Sequence, residues 1–186
     1  LWAWDSVPPK DAPSLDMRVI VGRATATETP IFAGQLRQVI FRPYWNIPDS
    51  ILRKEILPAL ERDQAYLRKQ DMQIVRGLAD DAEPVEVTEA NLTALRRGTL
   101  RLRQRPGPRN ALGLAKFVFP NIDSIYLHDT PAPERFSRTR RDFSHGCVRV
   151  EDPVALAEWV LAERSGWTRD RILTSMAGAD TVPVTL

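Results

Sequence analysis

Cys147 is the only cysteine in this chain, and it lies in the run SHGCVRV, two positions after His145. The other histidine, His128, sits 19 positions upstream in IYLHDTP. A thiol attacks as its thiolate, so it needs a base or positive surroundings. His128 ends one predicted strand and Cys147 begins another, and neighbouring strands can bring those ends within hydrogen-bond reach. The pair then suits a Cys–His acyl transferase, with His128 as base and Asp129, by its carbonyl or its carboxylate, orienting the ring. Gly146 permits a strained backbone and close substrate approach, and the amides of Gly146 and Cys147 can face a developing oxyanion. Ser144 and His145 brace that turn, and in an extended segment His145 shares a face with the thiol.

The same residues carry plainer readings. A lone cysteine is often an inert buried side chain, and a strand histidine can be purely structural. His128, His145, Cys147 and Asp129 could together ligate a metal. No Cys-x-x-Cys or histidine-rich pair accompanies them, so no metal is expected. Arg149, at +2 from the thiol, lies on the same side of its strand and can grip a substrate carboxylate or pair with an internal acid. Arg135, Arg138, Arg140 and Arg141 form either a solvated rim or a field that attracts a carboxylate-rich substrate. Trp45, in PYWNIP, is a candidate for lining the substrate, whereas Trp159 and Trp167 read as core.

Strands must position this chemistry. LWAW and MRVIVG read as two strands joined by the loop SVPPKDAPS, and QLRQVIF (35–41) as a third. AKFVFPN and SIYLHD follow the glycine-rich loop GPRNALG (107–113), which contains Asn110; SHGCVRV enters a further strand. Asp152 and Pro153 occupy the first positions of a helix stopped at Gly166, and Thr168 caps a last helix ending near Gly178. Between these lies a mostly helical stretch, 44–98, read as an insertion. In it Asp49 or Ser50 caps ILRKEILPAL, Pro58 kinks or breaks that helix, and Asn91 caps NLTALRRG. The class expected is mainly β with an α insertion (α+β).

The composition is that of a soluble globular domain, with 43% hydrophobic and 27% charged residues. One cysteine excludes an internal disulfide framework. A net charge of +2 without interleaved aromatic residues gives no footprint for nucleic acid, and no run suits membrane insertion. The chain opens on Leu1 in mid-strand character and closes on TVPVTL, so it reads as a fragment with trimmed ends.

His128, a polar gap, and then Ser144-His145-Gly146-Cys147-Val148-Arg149 resemble the active-site signature of the L,D-transpeptidases, the YkuD-type catalytic domain. MRVIVG with TETPIF resembles the early strands of that family. GPRNALG, FVFPN and IYLHDTP resemble its approach to the catalytic histidine. PYWNIPDSILRKEILPAL and the insertion resemble its large Gram-negative subfamily, in which a subdomain caps the site. The resemblance implies a β-sandwich with a helical capping subdomain, no cofactor, and a periplasmic location. It implies that Cys147 attacks the diaminopimelate–D-Ala bond of a peptidoglycan tetrapeptide stem, forms a thioester and passes the acyl group to an amine, giving a 3→3 crosslink. His128 would be the base, Gly146 and Cys147 the oxyanion hole, and His145 and Asp129 support. Ser144, Arg149, Trp45 and Asn110 would contact substrate, and carbapenems would acylate Cys147. Rival readings are an L,D-carboxypeptidase, a lipoprotein-attaching variant and a non-catalytic peptidoglycan-binding module. A papain-like peptidase is disfavoured because there the cysteine precedes the histidine.

Overall fold

The computed structural model describes residues 1–6, 12–79 and 81–186. In chain order its strands are β1 (Trp2–Ala3), β2 (Leu15–Asp16), β3 (Val19–Gly22), β4 (Gln38–Phe41), β5 (Trp45–Asn46), β6 (Met72–Val75) and β7 (Pro84–Val85). They continue with β8 (Arg101–Gln104), β9 (Ala115–Val118), β10 (Leu127–His128), β11 (Asp142–Ser144), β12 (Val148–Val150) and β13 (Val182–Thr185). Contacts divide the chain into two compact units, Leu1–Pro43 with Leu112–Leu186, and Tyr44–Ala111. The α+β class read from the sequence is the one the chain adopts.

The first unit is built on a seven-stranded sheet in the order β11-β3-β12-β10-β9-β4-β13. Strand alternation splits its side chains between two faces. Val39, Phe41, Ala115, Phe117, Val150 and Val184 join Leu156, Ala157, Leu161, Ile172 and Met176 in one core cluster. The latter residues come from two helices, Pro153–Val160 and Arg169–Ala177, and from Leu161, which caps the first. Both helices start as the sequence predicts: Asp152 Oδ1 accepts from the Ala155 N–H at 2.9 Å, and Thr168 Oγ1 from that of Arg171 at 3.4 Å. Trp167 stacks on Phe41 with ring centroids 5.4 Å apart. Trp159 is not in this core. It is half-buried and its indole N–H reaches Asp5 Oδ1 at 2.8 Å.

Residues alternating with that core occupy the other face. Lys116 lies opposite His128 across β9 and β10, and His128 opposite Arg149 across β10 and β12. Ile40 and Ile20 continue the row on β4 and β3. The sheet thus gathers three basic side chains in register on the face away from the two helices.

At the amino end, β1 pairs with β2 rather than with β3. Of the predicted joining loop, residues 7–11 lie outside the described residues.

The second unit has its own sheet, β5-β8-β6-β7, and its own core around Leu52, Ile56, Ile74, Leu95 and Leu102. It extends past residue 98 to Ala111 because β8 pairs with both β5 and β6. Helical backbone runs from Asp49 to Arg62, but neither Asp49 nor Ser50 caps it; the cap position is Pro48. Pro58 is accommodated without a break. The turn before it widens to π geometry over Leu52–Ile56, with the Leu57 N–H bonded to the Leu52 carbonyl. Thr88, not Asn91, caps the helix Glu89–Arg96, its hydroxyl accepting from the Asn91 N–H at 3.2 Å.

Phe117 is fully buried at the centre of the first unit's sheet, whereas Leu173 is 43% exposed. Phe117→Ala should lower unfolding free energy by about 3–5 kcal/mol, and Leu173→Ala by less than about 1 kcal/mol, both read from urea denaturation. Equal losses would show that the core has been misplaced.

Candidate active site

The segment that carries Cys147 crosses the end of a strand. β11 lies parallel to β3 on one side, with Ser144 opposite Gly22, and β12 lies antiparallel to β3 on the other. Residues 145–147 must therefore step over the carboxyl end of β3, at Gly22. Gly146 takes a φ of +119°, a conformation open to glycine, and a Cβ there would sit 3.1 Å from Ile125 Cδ1. At Gly22 the limit is space: a Cβ would fall 2.0 Å from the Thr27 carbonyl oxygen.

Hydrogen bonds lock the turn. Ser144 Oγ donates to the Cys147 carbonyl at 2.6 Å and accepts from the Gly146 N–H at 3.1 Å. Thr27 Oγ1 donates to the Ser144 carbonyl at 2.9 Å. Thr29 Oγ1 donates to the Gly146 carbonyl at 2.7 Å and accepts from the Gly22 N–H at 2.9 Å. The Gly146 amide, read from the sequence as an oxyanion donor, is bonded to Ser144 Oγ. The Ser144 side chain, read as a substrate contact, is buried inside the turn. The Cys147 N–H has no acceptor among the described residues and remains available.

Around the sulfur, Cys147 is half-buried and its Sγ is 3.9 Å from the Ser124 carbonyl. Asn121 shapes the loop that presents Ser124, donating to the carbonyls of Phe119 and Ile125 and accepting from the Ile125 amide. Burial pushes the Cys147 thiol up. Hydrogen bonds from the backbone and the hydroxyl of Tyr126, and the charges of Lys116 and Arg149, pull the other way. Tyr126 escaped the sequence reading. The signal was there, since it precedes His128 by two positions and so shares its face.

His128 is buried, with its Nδ1 2.5 Å from the Asp129 carbonyl oxygen. A carbonyl only accepts, so Nδ1 carries the proton and Nε2 holds the basic lone pair. Burial, then the Arg149 charge, with a smaller push from Lys116, brings His128 down to about 3, against the Asp129 and Leu112 carbonyls. The imidazole is therefore neutral at neutral pH. Asp129 acts on the ring through its carbonyl. Its carboxylate accepts from the Leu114 N–H at 2.8 Å and packs on Gly113, where a Cβ would fall 2.3 Å from Oδ2. Burial raises the Asp129 carboxyl, with the Leu114 and Thr130 amides opposing.

Arg149 sits beside His128 in register, and its Nε is buried without a hydrogen-bond partner. Arg135, from the 3-10 turn Pro133–Ser137, adds a like charge close enough to act on it. Arg138, Arg140 and Arg141 serve elsewhere: Arg140 pairs with Asp142, Arg141 reaches the carbonyls of Val19 and Arg138, and Arg138 stacks on Phe143. His145 is exposed.

Trp45 and Asn110 belong to the second unit. Trp45 is half-buried against that unit's apolar cluster. Asn110 is 1% exposed and its amide donates to the Arg105 carbonyl at 2.9 Å, so it braces its own loop. Among the described residues no group of three or more His, Cys, Asp or Glu is arranged to hold a metal. No helix among them is long and apolar enough to cross a membrane.

A half-buried cysteine lies in the turn that leads into β12, and a buried, neutral histidine lies on the neighbouring strand between Lys116 and Arg149. The family model for the YkuD L,D-transpeptidase catalytic domain matches residues 7–184. A Haemophilus influenzae protein named "Putative L,D-transpeptidase" is 35% identical over 167 residues, 90% of this chain. The chain spans about one third (33%) of that relative's length. The chain belongs to the YkuD family of L,D-transpeptidase catalytic domains.

The histidine also sets a pH dependence for folding. Unfolded, His128 binds a proton near its ordinary value of 6.5; folded, it waits until about 3. The unfolded state holds more protons in that window, so stability is lost as pH falls through it. Between pH 6.5 and 5 the loss should be about 1.5 kcal/mol, read from urea titrations, and His128→Gln should flatten it. A slope unchanged in that variant would mean that the imidazole is solvated.

Proposed function

We propose that this domain is a peptidoglycan L,D-transpeptidase acting through Cys147. The observation that carries the reading is the sheet register that sets His128 and Arg149 side by side, with Cys147 two residues before Arg149 and hydrogen-bonded to Tyr126. A tetrapeptide stem enters with its D-Ala carboxylate toward Arg149 and Arg135, a pair with an unfilled donor at Arg149 Nε. His128 Nε2 takes the thiol proton as Sγ attacks the carbonyl carbon of the diaminopimelate residue. The Cys147 N–H receives the developing oxyanion, and the Tyr126 hydroxyl steadies the sulfur. Collapse breaks the C–N bond; the imidazolium returns its proton to the departing D-Ala amine, leaving a thioester. An amine of a second stem then attacks the thioester, His128 accepts its proton, and the thiol is regenerated.

The neutral resting pair fits this sequence. Proton transfer accompanies attack, so the thiol is not spent on solvent electrophiles between turnovers. We place the reaction in the periplasm, where peptidoglycan is reached, and expect carbapenems to acylate Cys147 as the stem does. We further expect exposed His145 to border the entrance.

Incubation with a tetrapeptide-stem muropeptide should give a protein mass raised by the donor minus D-Ala, absent in Cys147→Ala. A folded wild-type protein with no adduct would contradict the assignment. His128→Ala should slow acylation by about 10²–10⁴-fold; an unchanged rate would move the base to exposed His145. Arg149→Gln should raise KM for the free-acid donor about tenfold more than for a donor amidated at D-Ala. Equal losses on both donors would place the carboxylate elsewhere.

A further inference from the structure

The sheet face that holds His128 and Arg149 carries a third base, Lys116, which the reaction above does not use. It comes from β9, opposite His128. Its ammonium lies 4.1 Å from the centroid of the Tyr126 ring, well within cation–π range. The same ring meets the His128 imidazole edge-on, with centroids 5.7 Å apart at 62°. Tyr126 also anchors the nucleophile's strand, its carbonyl accepting from the Val148 N–H at 3.1 Å, and its hydroxyl bonds the sulfur. One side chain thus touches base, nucleophile and lysine, and the lysine covers its face.

We infer that Lys116 is a positioning residue of this site: its ammonium fixes the Tyr126 phenol beside Cys147 and stabilises negative charge on the sulfur. The inference rests on Cys147 being the nucleophile. The groups that act on the sulfur are Tyr126, just before β10, Lys116 from β9 and Arg149 from β12; His128 from β10 lies against the Tyr126 ring, and Arg135 acts on Arg149 from the loop. Burial drives the thiol toward its neutral form, so the site needs fixed positive charge at the moment the anion forms. Arg149 is committed to the carboxylate in the reading above. Lys116 is held on an aromatic ring and stays beside the sulfur whether or not substrate is bound. A cation there also disfavours a second positive charge on His128, so it serves the anion and not a resting ion pair.

The test is the pH profile of Cys147 alkylation by iodoacetamide, measured on wild type, Lys116→Met and Lys116→Arg, with circular dichroism as the check on folding. Loss of the charge should move the profile to higher pH and slow alkylation at pH 7.5 by about tenfold, while Lys116→Arg keeps the wild-type profile. On a tetrapeptide stem, Lys116→Met should lower kcat and leave KM in place. An unmoved profile in a folded Lys116→Met protein overturns the inference, and so does an equal shift in Lys116→Met and Lys116→Arg. Alkylation needs no peptidoglycan. A shifted profile in a protein that forms no stem adduct would leave this role standing and remove the transpeptidase reading.

Discussion

The site depends on one pairing, that of β10 with β12. The two strands run parallel, with His128 opposite Arg149. Parallel neighbours cannot be joined by a tight turn; they need a crossover of a dozen or more residues. The 19-position separation of His128 and Cys147 is that crossover. It travels past β12 and β3 to lay down β11 at the sheet's edge, pinned on the way by Phe136, 2% exposed. It then returns across the end of β3 to begin β12. What looks in the sequence like a spacer between two catalytic side chains is the length of chain that this topology requires.

Burial and charge divide the work on the two reacting groups. Both act together on His128, and the imidazole stays neutral. On Cys147 they oppose each other, burial favouring the thiol and the surrounding cations the thiolate. With the Asp129 carbonyl held at Nδ1, the neutral imidazole keeps its lone pair on Nε2. In the mechanism proposed above, such a site keeps its nucleophile quiet until an acyl carbon arrives to take up the negative charge.

The candidate site residues stand out in the sequence because their chemistry is rare and local: one thiol, two imidazoles, and a glycine where a side chain could not go. Two helix starts were legible for a similar reason, since Asp152 and Thr168 reach amides within three residues. The support was not. Thr27 and Thr29 bond to carbonyls 117 positions away, and nothing in a loop of small polar residues marks it as a brace. Lys116 reads as the polar half of an alternating strand until its neighbour across the ladder is known. Asn110 and the Gly146 amide share one feature. Each is a polar group in a promising place, already satisfied by a neighbour that the sequence does not disclose. At residue 98 helical character ends, but the second unit continues, because membership follows the pairing of β8.

In the mechanism proposed above, the threonine brace leaves a single amide as the oxyanion donor. With the Gly146 N–H turned onto Ser144 and its carbonyl onto Thr29, the peptide before the nucleophile is held on both sides. Freeing that N–H for an oxyanion would break the Ser144 bond and loosen the carbonyl of Cys147, which the same hydroxyl holds. The fold has used one potential donor to make the remaining one rigid. A preorganised donor does not have to reorganise as charge develops, and in a buried, cation-rich setting its orientation counts for more than the number of donors. A fixed turn, a fixed phenol and a lysine over its ring meet the same need, which is to have the positive ends of dipoles in place before the anion exists.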